Sequence, residues 1–297
     1  ATAIDSVFQS TMAAVKKRLK RPKLLSHTRP PTARAQNPKL SAKATRNLIR
    51  THHRLLKSRA QALKAGNEDL VREIDERIEA NGGLESYQLA SKLGQSLERG
   101  GDSSKVLVDW IAPSLTQLKN SPYKLRMLEV GALSTENACS KNQYLDVTRI
   151  DLNAQEPGIL KQDFMKRPLP LTDGDRFHII SLSLVLNYVP NATGRGDMLK
   201  RCVGFLTQTP PAGSSITIRP SLFLVLPLAC VKNSRYLTPS RLQDILSSMG
   251  FTLAKSKETS KLIFQLWEHD RQGEPRPFKK EILNPGKMRN NFAINVQ

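Results

Sequence analysis

Between Pro122 and Glu268 short apolar runs alternate with helical stretches, and this alternation constrains the fold more than any other feature of the chain. Lys124 to Val130 reads as a short apolar strand and Leu145 to Leu152 as a second. Phe177 to Leu186 is apolar almost throughout, which marks a central strand covered on both faces. Thr193 to Thr207 reads as a helix, Ser215 to Leu226 as a further buried strand, and Pro239 to Met249 as a helix stopped by Gly250. Phe251 to Lys257 and Lys261 to Glu268 pair as a hairpin across Thr259-Ser260. Repeated strand–helix–strand units closed by a hairpin predict an α/β fold: an open, mostly parallel sheet with helices on both faces and an antiparallel member at the end.

The preceding region has helical periodicity. Leu48, Ile49, Leu55, Leu56 and Leu63 recur on one face from Ser41, interleaved with Arg46, Arg50, Arg54 and Lys57. Gly66-Asn67 ends that helix; a second carries Leu70, Ile74 and Ile78 and stops at Asn81-Gly82-Gly83. Leu84 to Leu97 forms a third, and Val106 to Leu118 a fourth, interrupted or restarted near Pro113. Residues 41–120 are therefore expected to be a helical lead-in beside a main domain of residues 121–270. The adjacent His52 and His53 point about 100° apart on a helix, which suits a surface or RNA-facing role better than a shared metal.

Charge divides the chain further. Residues 1–66 hold 16 Lys and Arg against the single acid Asp5, and residues 271–297 hold six against two Glu. Of the net charge of +20, the 204 residues between contribute only +1. A near-neutral body with two basic ends suits a polyanion, RNA or DNA, bound by counterion release. Residues 1–40, with Lys16-Lys17-Arg18-Leu19-Lys20-Arg21-Pro22-Lys23 and three prolines, read as a basic disordered tail; residues 271–297 read as a basic C-terminal tail. The same cluster has the composition of a nuclear import signal, and import or solubility alone is the plainer reading. The longest apolar run, Ser221 to Val231, is 11 residues and holds Pro227, so it reads as a buried strand and not a bilayer span. With no secretory-type apolar start and three unpatterned cysteines (Cys139, Cys202, Cys230), the expectation is a soluble protein of a reducing compartment, without membrane contact, disulfide framework or structural metal.

Candidate chemistry sits at strand ends, where open α/β sheets bind ligands. Gly131, in Leu128-Glu129-Val130-Gly131-Ala132-Leu133-Ser134, falls where the chain turns sharply and a ligand approaches the backbone. It stands alone, so no glycine-rich cradle for a dinucleotide pyrophosphate is present. Asp151 closes the next strand, 20 residues on, where a carboxylate reaches both hydroxyls of a bound ribose. Asp163 and Phe164 follow a third strand and suit an adenine amino group and ring face. Asn187 and Tyr188 end the central strand and bring an amide and an aromatic ring to a reacting centre. Each has a structural alternative: Asp151 a helix cap, Asp163 a turn, Phe164 core, Asn187 a cap, Tyr188 packed inside. The ordered set on consecutive strand ends is what chance does not readily supply.

These stretches carry a resemblance. Leu125 to Leu206 resembles class I S-adenosylmethionine-dependent methyltransferases and, more narrowly, the fungal large-subunit (25S) ribosomal RNA adenine-N1 methyltransferase family. The matching runs are residues 128–134, Ile150-Asp151-Leu152-Asn153, Gln162-Asp163-Phe164-Met165 and Ser183-Leu184-Val185-Leu186-Asn187-Tyr188-Val189-Pro190. Arg195-Gly196-Asp197-Met198-Leu199, Lys43-Ala44-Thr45-Arg46 and Ile49-Arg50-Thr51-His52-His53 also fit, so the likeness spans residues 40 to 270. It departs from the wider class in its reduced glycine motif.

The resemblance implies a Rossmann-like class I methyltransferase sheet and S-adenosylmethionine as cofactor, held by Gly131, Asp151 and Asp163 with Glu129 and Phe164 beside them. It implies a monomeric enzyme of the nucleus and nucleolus that methylates adenine N1 in ribosomal RNA of the pre-ribosomal large subunit during ribosome biogenesis. Asn187 would orient the base and Tyr188 stack on it. The rival, from a related animal branch, is an S-adenosylmethionine sensor acting through protein partners; Gly131 and Asp151 would serve either role. A structural assembly factor that has lost its cofactor is a third.

Overall fold

A computed structural model describes residues 41–94, 101–154, 156–207, 218–270 and 272–297. Three helices lead: α1 (Ala42–Lys64), α2 (Glu68–Ala80) and α3 (Gly83–Gly94). Ser41 and Asn67 cap the first two, each side-chain oxygen accepting from the backbone N–H three residues on. α1 packs against both followers around a small core of Leu55, Ala62 and Ile74. The pair Arg59–Asp75 crosses from α1 to α2 at its half-exposed rim, with N–O distances of 2.5 and 2.9 Å.

The remaining elements are α4 (Ser104–Thr116), β1 (Leu125–Val130), α5 (Ala138–Lys141), β2 (Leu145–Asp151), β3 (Leu160–Lys161), β4 (Ile179–Ser183), α6 (Ala192–Phe205), β5 (Ser221–Pro227), α7 (Leu228–Lys232), α8 (Pro239–Ser248), β6 (Phe251–Glu258) and β7 (Leu262–His269). The seven strands lie in the order β3-β2-β1-β4-β5-β7-β6. All neighbours are parallel except β7, which runs antiparallel to both β5 and β6. Strand order reverses between β1 and β4, so the chain diverges there and leaves a crevice at the carboxyl ends.

Pleating sends alternate residues to opposite cores. On β5, Leu222, Leu224 and Leu226 join α6 and α8, whereas Phe223 and Val225 join Leu107, Ile111 and Leu115 of α4. α4 therefore belongs to the sheet and not to the three-helix unit before it, which divides the expected lead-in of residues 41–120. It also runs unbroken through Pro113. That residue is exposed, as is Asp109 four positions earlier, so water satisfies the carbonyl that the missing N–H leaves unpaired.

The predicted sheet and hairpin are present, with shorter strands. Phe177 to Leu186 contributes only β4, because Leu184 takes a left-handed conformation (φ 57°) and turns the chain out of the sheet. The apolar run from Ser221 is a strand only to Pro227, after which it forms α7. Residues 1–40, 95–97 and 215–217, expected as tail, helix end and strand start, lie outside the described residues. No described helix is long and apolar enough to cross a membrane.

The C-terminal segment corrects a larger expectation. Residues 272–297 are not a tail but a strap inserted into the main core through Phe278, Phe292, Ile294 and Val296. Phe278 bridges Val296, Asn295 N–H donates to Ala192 O (2.9 Å), and Arg195 donates to Ala293 O (2.7 Å) with its guanidinium 4.2 Å from the Phe292 ring centre. Lys279, Lys280 and Lys287 stay exposed, so the charge count was read correctly while the alternating apolar residues beneath it were not.

The strap fits because α6 presents Gly196, where an added Cβ would lie 1.8 Å from Asn295 O. Gly196→Ala should therefore destabilise by about 1–3 kcal/mol or more despite the ~1 kcal/mol that alanine adds to a helix. Urea denaturation checks this; a variant as stable as the parent would show that the strap does not pack on α6.

Candidate functional site

The site grows from four consecutive strand ends. After β1 the chain turns at Gly131 (φ 75°), whose N–H donates to Ile150 O (2.8 Å). A Cβ here would meet Val185 Cγ2 at 2.7 Å, so only glycine lets the β1 and β4 turns touch. Asp151 ends β2; its Oδ1 accepts the Asn153 N–H (2.7 Å), and burial raises its carboxyl above the ordinary range. Asp163 follows β3, and its Oδ1 accepts the Met165 N–H (2.8 Å). After β4 the left-handed Leu184 bends the chain towards Tyr188.

These ends form the floor of a cavity of about 350 Å³ whose roof is α1 and α3. Both helices aim one face at it with spacing i, i+3, i+4, i+7: Ile49, His52, His53 and Leu56 from α1, and Leu84, Tyr87, Gln88 and Ser91 from α3. The rings interlock. His52 stacks on Tyr87 (centres 4.5 Å apart), His53 stacks on Tyr188 (4.0 Å), and Tyr87 meets His53 edge-on (5.1 Å). Polar contacts tie the roof to the floor. Gln88 Nε2 donates to Asn153 O (2.9 Å), Asn153 Nδ2 donates to Gln88 Oε1 (2.7 Å), and Lys92 pairs with Glu156 (3.0 Å).

The roof is uncharged at neutral pH. Burial, reinforced by His52, pushes His53 down to about 4, and burial lowers His52 as well. Burial also raises both Tyr87 and Tyr188. The acidic groups of the lining, Asp151 and Asp163, thus sit beneath neutral rings.

Gly131, Asp151 and Asp163 meet in one cavity, as their order along the chain predicts. Other residues are placed differently. Phe164 reaches the wall, but its ring is only 3% exposed and packs on Phe205, so it is core and not a cover for a ligand ring. Glu129 faces away, accepting from Asn137 Nδ2 (2.8 Å) and Cys139 Sγ (3.8 Å). Asn187 does not line the cavity, and its buried Oδ1 has no partner. Tyr188 does line it, but His53 already covers a face of its ring, so that face is closed to a base. His52 and His53 lie in the roof instead of on the surface because α1 folds over the crevice. Sequence reasoning missed Tyr87 and Gln88; the helical spacing from Leu84 to Ser91 was the available signal.

Comparisons with known proteins agree with this arrangement. The sequence profile of the family described as "25S rRNA (adenine(2142)-N(1))-methyltransferase, Bmt2" matches residues 72–294. The "25S rRNA (adenine(2142)-N(1))-methyltransferase" of Saccharomyces cerevisiae is 43% identical over 226 residues, 75% of this chain and 63% of the relative. The chain thus spans less than two thirds of that relative's length. The "25S rRNA adenine-N(1) methyltransferase" of Schizosaccharomyces pombe is 36% identical over 251 residues, 83% of this chain and 89% of the relative. Among solved structures, an O-methyltransferase family protein from Burkholderia thailandensis aligns over 64% of this chain and 62% of its own at 8% identity, with a TM-score of 0.42. The fold assignment rests on the strand order and not on that alignment.

Glu129 yields a prediction. Burial raises its carboxyl from 4.5 to about 7, with Asn137 and Arg149 opposing. Between these values the unfolded chain ionises while the folded chain keeps its proton, so stability falls as pH rises, by up to ~1.4 kcal/mol per unit. Glu129→Gln should remove that fall and gain on the parent between pH 5 and 8 in urea denaturation. Parallel stability curves would show that Glu129 is ionised in the fold.

Proposed function

Because the chain belongs to the 25S rRNA (adenine(2142)-N(1))-methyltransferase family, we propose that it methylates N1 of an adenine in large-subunit ribosomal RNA, with S-adenosylmethionine as methyl donor. Both named relatives carry that activity in their names, and neither favours the sensor reading. The observation that carries the proposal is the floor of the cavity: a glycine turn, a ribose-type acid and a second acid on three consecutive strand ends.

The residues fit the cofactor. The cavity volume of about 350 Å³ suits a small molecule. Gly131 leaves backbone space that a side chain would fill. Asp151 and Asp163 each commit Oδ1 to the backbone and keep Oδ2 for a ligand, a ribose hydroxyl at the first and an adenine amino group at the second. When bound, S-adenosylmethionine supplies a methyl group on a positively charged sulfur.

The chain's own task is then positioning. Adenine N1 carries a neutral lone pair, so no proton has to leave before it is methylated, and no general base is needed at that atom. Neutral His52 and His53 are consistent with this. The roof excludes water from the reacting atoms, and the fixed floor orients them. N1 lies on the Watson–Crick edge, so the base must enter unpaired. The basic residues of positions 1–66 supply sequence-independent attraction to RNA phosphate and a cluster suited to nuclear import. These features support a nucleolar site of action during ribosome biogenesis.

Labelled methyl groups from S-adenosylmethionine should enter deproteinised ribosomal RNA from a strain lacking this gene and not RNA from the parent strain. No label in either that RNA or pre-ribosomal particles, despite cofactor binding, would transfer the role to the sensor reading. Asp151→Ala should weaken cofactor binding by roughly 10- to 100-fold, the worth of hydrogen bonds to a charged group. Unchanged calorimetric affinity would remove Asp151 from the cofactor site.

A further inference from the structure

We propose that His53 is the group that selects adenine: its Nε2, in the cavity roof, accepts a hydrogen bond from the exocyclic amino group of the target base. This deepens the methyl-transfer reading and rests on it. Nε2 of His53 is buried and has no hydrogen-bond partner among the described residues. Leaving a buried polar nitrogen unmatched costs roughly 1–3 kcal/mol, so a fold that keeps one inside a ligand cavity holds it ready for a ligand. The ring is also fixed in place, flat on Tyr188 (4.0 Å, 13° between planes) and held at its edge by Tyr87 (5.1 Å, 87°). Residues on a rigid helix with locked rings suit recognition better than residues on a loop.

The chemistry favours one base. A neutral imidazole carries one acceptor nitrogen and one donor. Burial holds His53 neutral at physiological pH, so an acceptor is present there. Adenine shows an amino donor beside N1, and guanine shows a carbonyl acceptor beside a protonated N1. An acceptor aimed at the neighbouring position therefore takes adenine, rejects guanine and leaves the N1 lone pair uncovered. A donor in its place would compete for that lone pair.

The test uses the full chain and large-subunit RNA carrying adenosine or, by splinted ligation, purine riboside at the methylated position. Purine riboside lacks only the amino group, and the lower nucleophilicity of its N1 cancels when enzyme forms are compared. The parent should prefer adenosine by tenfold or more in kcat/KM. His53→Phe, which keeps the stack on Tyr188 without the acceptor, should reduce that preference at least tenfold while leaving cofactor affinity unchanged. His53→Gln, with Oε1 near the position of Nε2, should restore most of it. A parent ratio near one, or an unchanged ratio in His53→Phe, overturns the proposal. So does a tenfold loss of cofactor affinity in His53→Phe, which would assign Nε2 to the cofactor. Failure of the parent to methylate even the adenosine RNA would instead refute the methyl-transfer reading itself.

Discussion

The close contact between the turn after β1 and the turn after β4 is the constraint on which the site depends. Gly131 lies against Val185 with no room for a side chain, and Leu184 next to Val185 is held left-handed. Ile150 O accepts from both Gly131 and Ala132 N–H (2.8 and 3.1 Å), which ties the first turn to β2. Three strand ends are thereby locked at the point where the sheet order reverses, and the crevice that follows from topology becomes a shaped floor. One glycine suffices because one close approach is made.

Above that floor the protein separates charge from chemistry. Its basic residues lie in terminal and outer segments, including the exposed lysines of the C-terminal strap. Its cavity roof is built of rings that burial keeps neutral. The three-helix unit that carries the roof has a small core of its own and meets the sheet domain through stacked rings and the paired amides of Gln88 and Asn153. Asn153 is positioned by Asp151, so the ribose-type acid and the roof share one hydrogen-bonded chain. A ligand engaging Asp151 acts on the same turn that holds the roof.

How much of this was legible varies with the range of the interactions. Gly131, Asp151 and Asp163 were readable because strand ends at a switch point are marked by local residues. Glu129 was misassigned although parity was visible: Leu125 and Met127 face the α4 side, and the residue two further on must follow. Phe164 was read as a ligand cover, but an aromatic ring beside Phe205 gains more from burial. The strap was hidden by its charge, since exposed lysines dominate a count while Phe292, Ile294 and Val296 alternate beneath them.

The sequence by itself determined the strand order class, the closing hairpin, the three floor residues and the uneven charge, because periodicity and turn chemistry act over a few residues. Only the tertiary structure decided which helices cover the floor. Roof and floor residues are far apart in the chain: His53 meets Tyr188, and Gln88 meets Asn153, through rings and amides that carry no local signature. Helical spacing shows that a face exists, but what that face meets is set by packing between distant segments.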